Sequence, residues 1–137
     1  MSKDALMTRH KGREQAFVLL FEKCFTDDTI EQILENAKAV RDFDPGDFAL
    51  EIVKGVQTNL QTIDSVIEKN LKGWKITRLP KVTLCILRIA TYEILYDESI
   101  PVSVSINEAV EFAKEYATKK DSQFVNGILG VVAKSKS

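Results

Sequence analysis

One histidine, one tryptophan, two cysteines and three prolines are all that these 137 residues hold of those four residue types. His10, Cys24 and Cys85 are too few to build a zinc site from soft ligands. A Cys–His nucleophilic pair would require His10 to meet one of the thiols in space. Both cysteines lie in apolar helical patterns, as buried thiols of a cytosolic protein do. There is no GxGxxG, no P-loop and no GxSxG. Catalysis is therefore remote, and no cofactor or metal is expected. No apolar run reaches the roughly 18 residues of a spanning helix, so no membrane partner is expected either. The opening MSKDALMTRHKGRE has no apolar h-region. It predicts no secretory signal and a cytoplasmic location.

What remains is ordinary globular material, 45% hydrophobic and 28% charged, with a net charge of −1. A chain of this length buries about two-thirds of its unfolded surface and needs no metal or disulfide to fold. The near-zero net charge hides an asymmetry. Asp27 to Glu51 carries eight acids against Lys38 and Arg41. Lys3 to Arg13 carries four bases and His10 against Asp4, and Lys69 to Arg88 carries six bases and no acid. Such a dipolar chain can turn a basic face to a polyanion while staying near neutral overall. The same charges also read as solvated loops and helix ends.

Apolar spacing is helical almost everywhere. Phe17, Leu20, Phe21 and Cys24 mark a first helix over about 9–25; Ile30, Ile33, Leu34 and Ala37 mark a second over about 29–41. Asp44 and Pro45 predict the N-cap and first residue of a third, carrying Phe48, Ile52 and Val56. A fourth, with Ile63, Val66, Ile67 and Leu71, ends near Gly73. Pro80 opens a fifth that is apolar nearly all round, hence central. After Pro101 come a sixth (Ile106, Ala109, Val110, Ala113) and a seventh (Phe124, Val125, Ile128, Leu129, Val132). VSVSI and GVV have strand-like composition but sit in helical surroundings. The expectation is an all-α fold of about seven helices, with a frayed KSKS tail.

Three stretches occur in series. The first is Arg9-His10-Lys11-Gly12-Arg13-Glu14-Gln15-Ala16. The second is Trp74-x-x-x-Arg78-Leu79-x-x-Val82, followed by Ile86-Leu87-Arg88-Ile89-Ala90-x-Tyr92-Glu93-Ile94-Leu95. The third runs from Ile100-Pro101 through Ile106-Asn107-Glu108-Ala109-Val110-Glu111 to Phe124-Val125-Asn126-Gly127-Ile128-Leu129. Together they resemble the bacterial transcription antitermination factor NusB family over nearly the whole chain. The INEAVE and FVNGIL segments in series are the specific part.

The resemblance implies two small helical bundles packed together, here an N-terminal subdomain of about 1–75 and a C-terminal one of about 76–137. It implies binding of single-stranded boxA RNA together with the ribosomal protein NusE. It places the chain in the RNA polymerase antitermination complex, which reads through terminators in ribosomal RNA operons. A similar domain is fused to ribosomal RNA methyltransferases, and a chain ending at Ser137 leaves no room for that enzyme. The family's arginine-rich motif falls on Arg9, His10, Lys11 and Arg13, suited to charge-assisted hydrogen bonds with phosphate. Its base-stacking aromatics fall on Phe21 and Phe124. Its partner-contact positions fall on Thr83, which with Leu84 replaces the usual acidic–basic pair, and on Lys120 in the basic stretch before Phe124.

Each of these residues also has a plain structural reading. Phe21 and Phe124 both lie at core spacing. Asn107 and Asn126 read as packing residues bonded to neighbouring groups, and Gly127 and Gly130 as sites of close helix contact. Arg88 on the apolar fifth helix needs a partner if buried, and Glu108 is the candidate. Trp74 either stacks on a base or closes the core between helices four and five. Arg9, Lys11 and Arg13 alternate and cannot share one narrow helix face. The chain near Arg9 is thus expected to be irregular, with only Arg13 inside the first helix and little apolar surface before it beyond Leu6 and Met7. The alternative function is a helical protein–protein adaptor with little RNA affinity of its own, whose basic segments meet an acidic partner; monomer and homodimer are both open.

Overall fold

The structure, a computed structural model, describes residues 3–136, with side chains from Thr8 onward. Lys3, Asp4, Leu6 and Met7 as side chains, and Ser137, lie outside the described residues. Among the described residues there are seven α-helices and no strand. They are α1 (Lys3–Lys23), α2 (Ile30–Arg41), α3 (Asp47–Thr58), α4 (Leu60–Lys69), α5 (Lys81–Tyr96), α6 (Val102–Tyr116) and α7 (Lys119–Lys136). A single 3-10 turn, Ile76–Arg78, precedes α5.

Local chemistry accounts for most boundaries. Thr29 and Gln32 form a reciprocal capping box that starts α2, and Asp42 ends it in the left-handed conformation. Pro80 and Pro101 stand immediately before α5 and α6. VSVSI is helical, as its surroundings required. α3 begins two residues later than Asp44-Pro45 suggested. The Leu50 N–H bonds the Gly46 carbonyl, and the Gly46 N–H donates to Gln15 Oε1 at 3.1 Å, which fixes the entry into α3. At the other end α7 continues through Lys136, so the described part of the KSKS tail is helical. Lys134 and Lys136 lie in its last turn, where cations oppose the carbonyl end of the helix dipole.

The chain forms two compact units, Met1–Lys54 and Gly55–Ser137. α4 packs on α5 and α7 and buries Ile63 and Ile67 in the second unit.

In the first unit, α1 and α2 pack through Ala16, Leu19 and Leu20 on one side and Ile30, Ile33 and Ala37 on the other. Ala49, Ile52 and Val53 of α3 are also buried. In the second unit α5 is the central element, with eleven of its sixteen residues buried against α4, α6 and α7. Gly55 is obligatory there: a Cβ at this position would lie 2.1 Å from the Tyr92 ring. Ser105 Oγ donates to the buried Glu93 carboxylate at 2.9 Å, tying α6 to α5. Arg88 is held on α5 by Asp64 of α4, so the carboxylate that takes its guanidinium fork comes from α4, where Glu108 was expected to supply it.

Candidate nucleic-acid interface

The N-terminal basic motif is regular helix. α1 begins at Lys3, so Arg9, His10, Lys11 and Arg13 all lie within it, contrary to the irregular start expected. Their geometry follows from a 100° step per residue. Arg9 and Arg13, four apart, share a face; Lys11 points away from it and is exposed. The shared face meets Phe48 of α3. The Arg9 guanidinium carbon lies 5.5 Å and that of Arg13 5.6 Å from the Phe48 ring centroid. Each such cation–π contact contributes about 0.5–2 kcal/mol, the more the drier the site.

Gly12 makes this arrangement possible. It lies between the two arginines, and a Cβ there would come within 2.7 Å of Phe48 Cδ2. The glycine in an otherwise basic motif is thus a seat for the ring. Arg13 is 5% exposed, which leaves it little surface for a phosphate and makes it a positioning residue for Phe48. Arg9 is half-buried, so part of its guanidinium side chain reaches the surface. His10 is exposed and its Nε2 lies 2.8 Å from Glu14 Oε1, one turn on. The accessible polar side chains of the motif are therefore those of Arg9, His10 and Lys11.

Farther along α1 runs an aromatic ladder. Phe17 stacks on Phe21 with centroids 5.7 Å apart, and Phe21 meets Phe25 edge-on at 5.0 Å. Phe17 is buried, Phe21 is half-buried, and Phe25 is 66% exposed. Phe21 is thus both core and surface, and Phe25 is the open rung. Its signal in the sequence is the i, i+4, i+8 spacing. Phe48 had no such signal, because it comes from a helix 35 residues beyond Arg13.

In the second unit, Phe124 is 38% exposed on α7. Lys120, Phe124, Gly127 and Val131 follow one another at helical spacing and are all exposed. A Cβ on Gly127 or Gly130 would meet nothing within 4 Å, so neither glycine serves close helix contact. Gly127 leaves the strip beside Phe124 flat. Asn107 and Asn126 are exposed as well and do not brace the packing. With Ser103, Lys114, Lys119 and Gln123 they line a groove of about 570 Å³ between α6 and α7.

Thr83 is 1% exposed and so cannot present a surface contact to a partner, and its hydroxyl has no hydrogen-bond partner among the described residues. A threonine one turn into the central, almost wholly apolar helix is drawn inside with its neighbours. Lys120 remains available at the surface. Trp74, read as either a base-stacking surface or a core-closing residue, is 63% exposed. No described helix is long and apolar enough to cross a membrane.

Comparison with known proteins agrees with this architecture. The profile of the NusB family matches residues 10–134. The transcription antitermination protein NusB of Clostridium botulinum (strain Loch Maree / Type A3) is 43% identical over 138 residues, covering 90% of this chain and 98% of that one. Among solved structures, T. maritima NusB superposes with a TM-score of 0.80 at 39% identity, over 92% of this chain and 90% of that one. A crystal structure of antitermination factors NusB and NusE in complex with double-stranded RNA gives a TM-score of 0.82 at 26% identity, over 94% of this chain and 98% of that one. With a matching profile over most of its length and a relative of this identity along almost its whole extent, the chain belongs to the NusB family.

Proposed function

We propose that the protein is a transcription antitermination factor of the cytoplasm, acting by binding and not by catalysis. It binds boxA-type single-stranded RNA together with ribosomal protein NusE, and so promotes read-through by RNA polymerase in ribosomal RNA operons. The observation that carries the reading is the full-length likeness to a NusB crystallised with NusE and RNA. The geometry adds a means. Arg9, His10 and Lys11 offer phosphate donors on a preformed helix, and the Phe48 seat holds Arg9 in place before RNA arrives. Phe21 with Phe25 and, in the second unit, Phe124 offer stacking faces for unpaired bases. Lys120 beside Phe124 belongs to the surface offered to NusE or RNA.

The test is titration of a fluorescently labelled boxA-like RNA, with and without NusE, at two salt concentrations. The chain is near neutral, so its own phosphate-contacting patch is small and a second protein must extend it. NusE should therefore tighten RNA binding, and RNA should tighten NusE binding by the same factor. With about four phosphates neutralised, the log–log salt slope for single-stranded RNA should be near −3. Equal RNA affinity with and without NusE would contradict this coupling, and negligible RNA affinity in both would favour the adaptor reading instead.

A further inference from the structure

The segment joining α4 to α5 turns its largest apolar side chain outward. Leu71 is buried and Ile76 and Leu79 are half-buried, so the segment is anchored by its smaller residues while Trp74 stands 63% exposed. The backbone is built to do this. Lys72 (φ 50°) and Gly73 (φ 92°) are both left-handed, a conformation that lysine adopts only at a steric cost. The turn is held by the Trp74 N–H on the Leu71 carbonyl (3.2 Å) and by the Ile76 N–H on Glu68 Oε2 (2.8 Å). A loop with two consecutive left-handed residues and a carboxylate brace is an ordered platform.

Cations surround it in sequence. Lys69, Lys72, Lys75 and Arg78 are all exposed, and no acid occurs from Lys69 to Arg88. Glu68, the acid just before them, accepts from Ile76. An exposed indole among unopposed cations is the combination that binds single-stranded nucleic acid: the ring stacks an unpaired base while the cations follow its phosphates.

We propose that the 69–78 loop is a second RNA-contact site, in which Trp74 stacks on one unpaired base and Lys72, Lys75 and Arg78 contact the flanking phosphates. The inference rests on the RNA-binding reading above and adds a site in the second unit. It adds phosphate contacts to a chain whose net charge is only −1.

Trp74 is the sole tryptophan, so emission excited where only tryptophan absorbs reports on this loop alone. The full chain is titrated with an unstructured boxA-like RNA of about 20 nucleotides. Fluorescence anisotropy of the labelled RNA follows binding, and Trp74 emission with iodide quenching follows the loop. The expected result is quenching of Trp74 emission and protection from iodide, both saturating with the anisotropy. Trp74→Ala should weaken binding about tenfold, the order of one base–aromatic stack, with helical content unchanged. The triple variant K72Q/K75Q/R78Q should make the salt slope shallower by about 2.

Saturating anisotropy with unchanged Trp74 emission overturns the second site and leaves the RNA-binding reading intact. So does full affinity in Trp74→Ala. A Trp74 response that appears only when NusE is added makes the loop a protein contact and also overturns the proposal. Absence of any anisotropy change defeats the RNA-binding reading itself.

Discussion

Arg88 and Asp64 form a two-pronged ion pair: Nε donates to Oδ1 and Nη2 to Oδ2, each at 2.8 Å. Both side chains are largely buried, and the pair joins the central α5 to α4. Removing the arginine strands a carboxylate in a partly desolvated site. Arg88→Ala should therefore lower stability by about 3 kcal/mol and the melting temperature by about 10 °C. The folded fraction should keep its RNA affinity. Thermal melts by circular dichroism with parallel RNA titrations check this, and a variant of unchanged melting temperature with weaker RNA binding would place Arg88 at the ligand.

Gly12 and Phe48 should be energetically coupled. Gly12→Ala puts a methyl 2.7 Å from Phe48 Cδ2 and must move the ring, loosening Arg9 and Arg13 together. RNA affinity should fall several-fold, even though alanine is the better helix former by about 1 kcal/mol. In a Phe48→Leu background the same substitution should cost almost nothing further. A double-mutant cycle measures the coupling, and additive effects would mean the ring does not depend on the glycine.

The salt dependence of RNA binding should separate the two arginines. Arg9 is half-buried and reaches the surface, so Arg9→Ala should make the slope for single-stranded RNA shallower by about 0.7. Arg13 is buried and acts through Phe48, so Arg13→Ala should weaken binding with a smaller change in slope. Equal slope changes would show that both touch the backbone.

Thr83 buries a hydroxyl that has no partner among the described residues. Thr83→Val keeps the shape and removes the desolvated group, so stability should stay level or rise by about 1 kcal/mol. Affinity for NusE should not change. A loss of NusE binding in a normally melting variant would return Thr83 to the contact surface.

The helices were legible because their signals are local. Ile30, Ile33, Leu34 and Ala37 mark α2 by spacing alone, Pro80 and Pro101 stand at the helix starts they predict, and the apolar run of α5 reads as central without knowledge of its neighbours. The basic motif was legible as a charge run. What escaped depends on residues distant in sequence. Arg88 asks for an acid, but nothing in its own helix says that Asp64, 24 residues back, supplies it in preference to Glu108 ahead. Phe48 has core spacing in α3, and only the packing of α1 shows it as a seat for two arginines. Trp74 has the composition of a core residue, and the two left-handed residues before it turn it outward. Thr83 runs in the opposite sense: a polar residue that the resemblance placed at a partner contact lies on the buried side of α5.

Burial of α5 on nearly every side sets an order of events under native conditions. Its amide protons reach solvent only when α4, α6 or α7 has already come away, whereas the ends of those outer helices can fray singly. In deuterium oxide the backbone of Leu84 to Ile94 should be the last part of the second unit to take up label, at a rate governed by the unit's full opening. Peptides from this stretch would then serve as an internal clock. A partner that slows it would be gripping the unit as a whole, and one that slows only the 69–78 loop would be touching it locally.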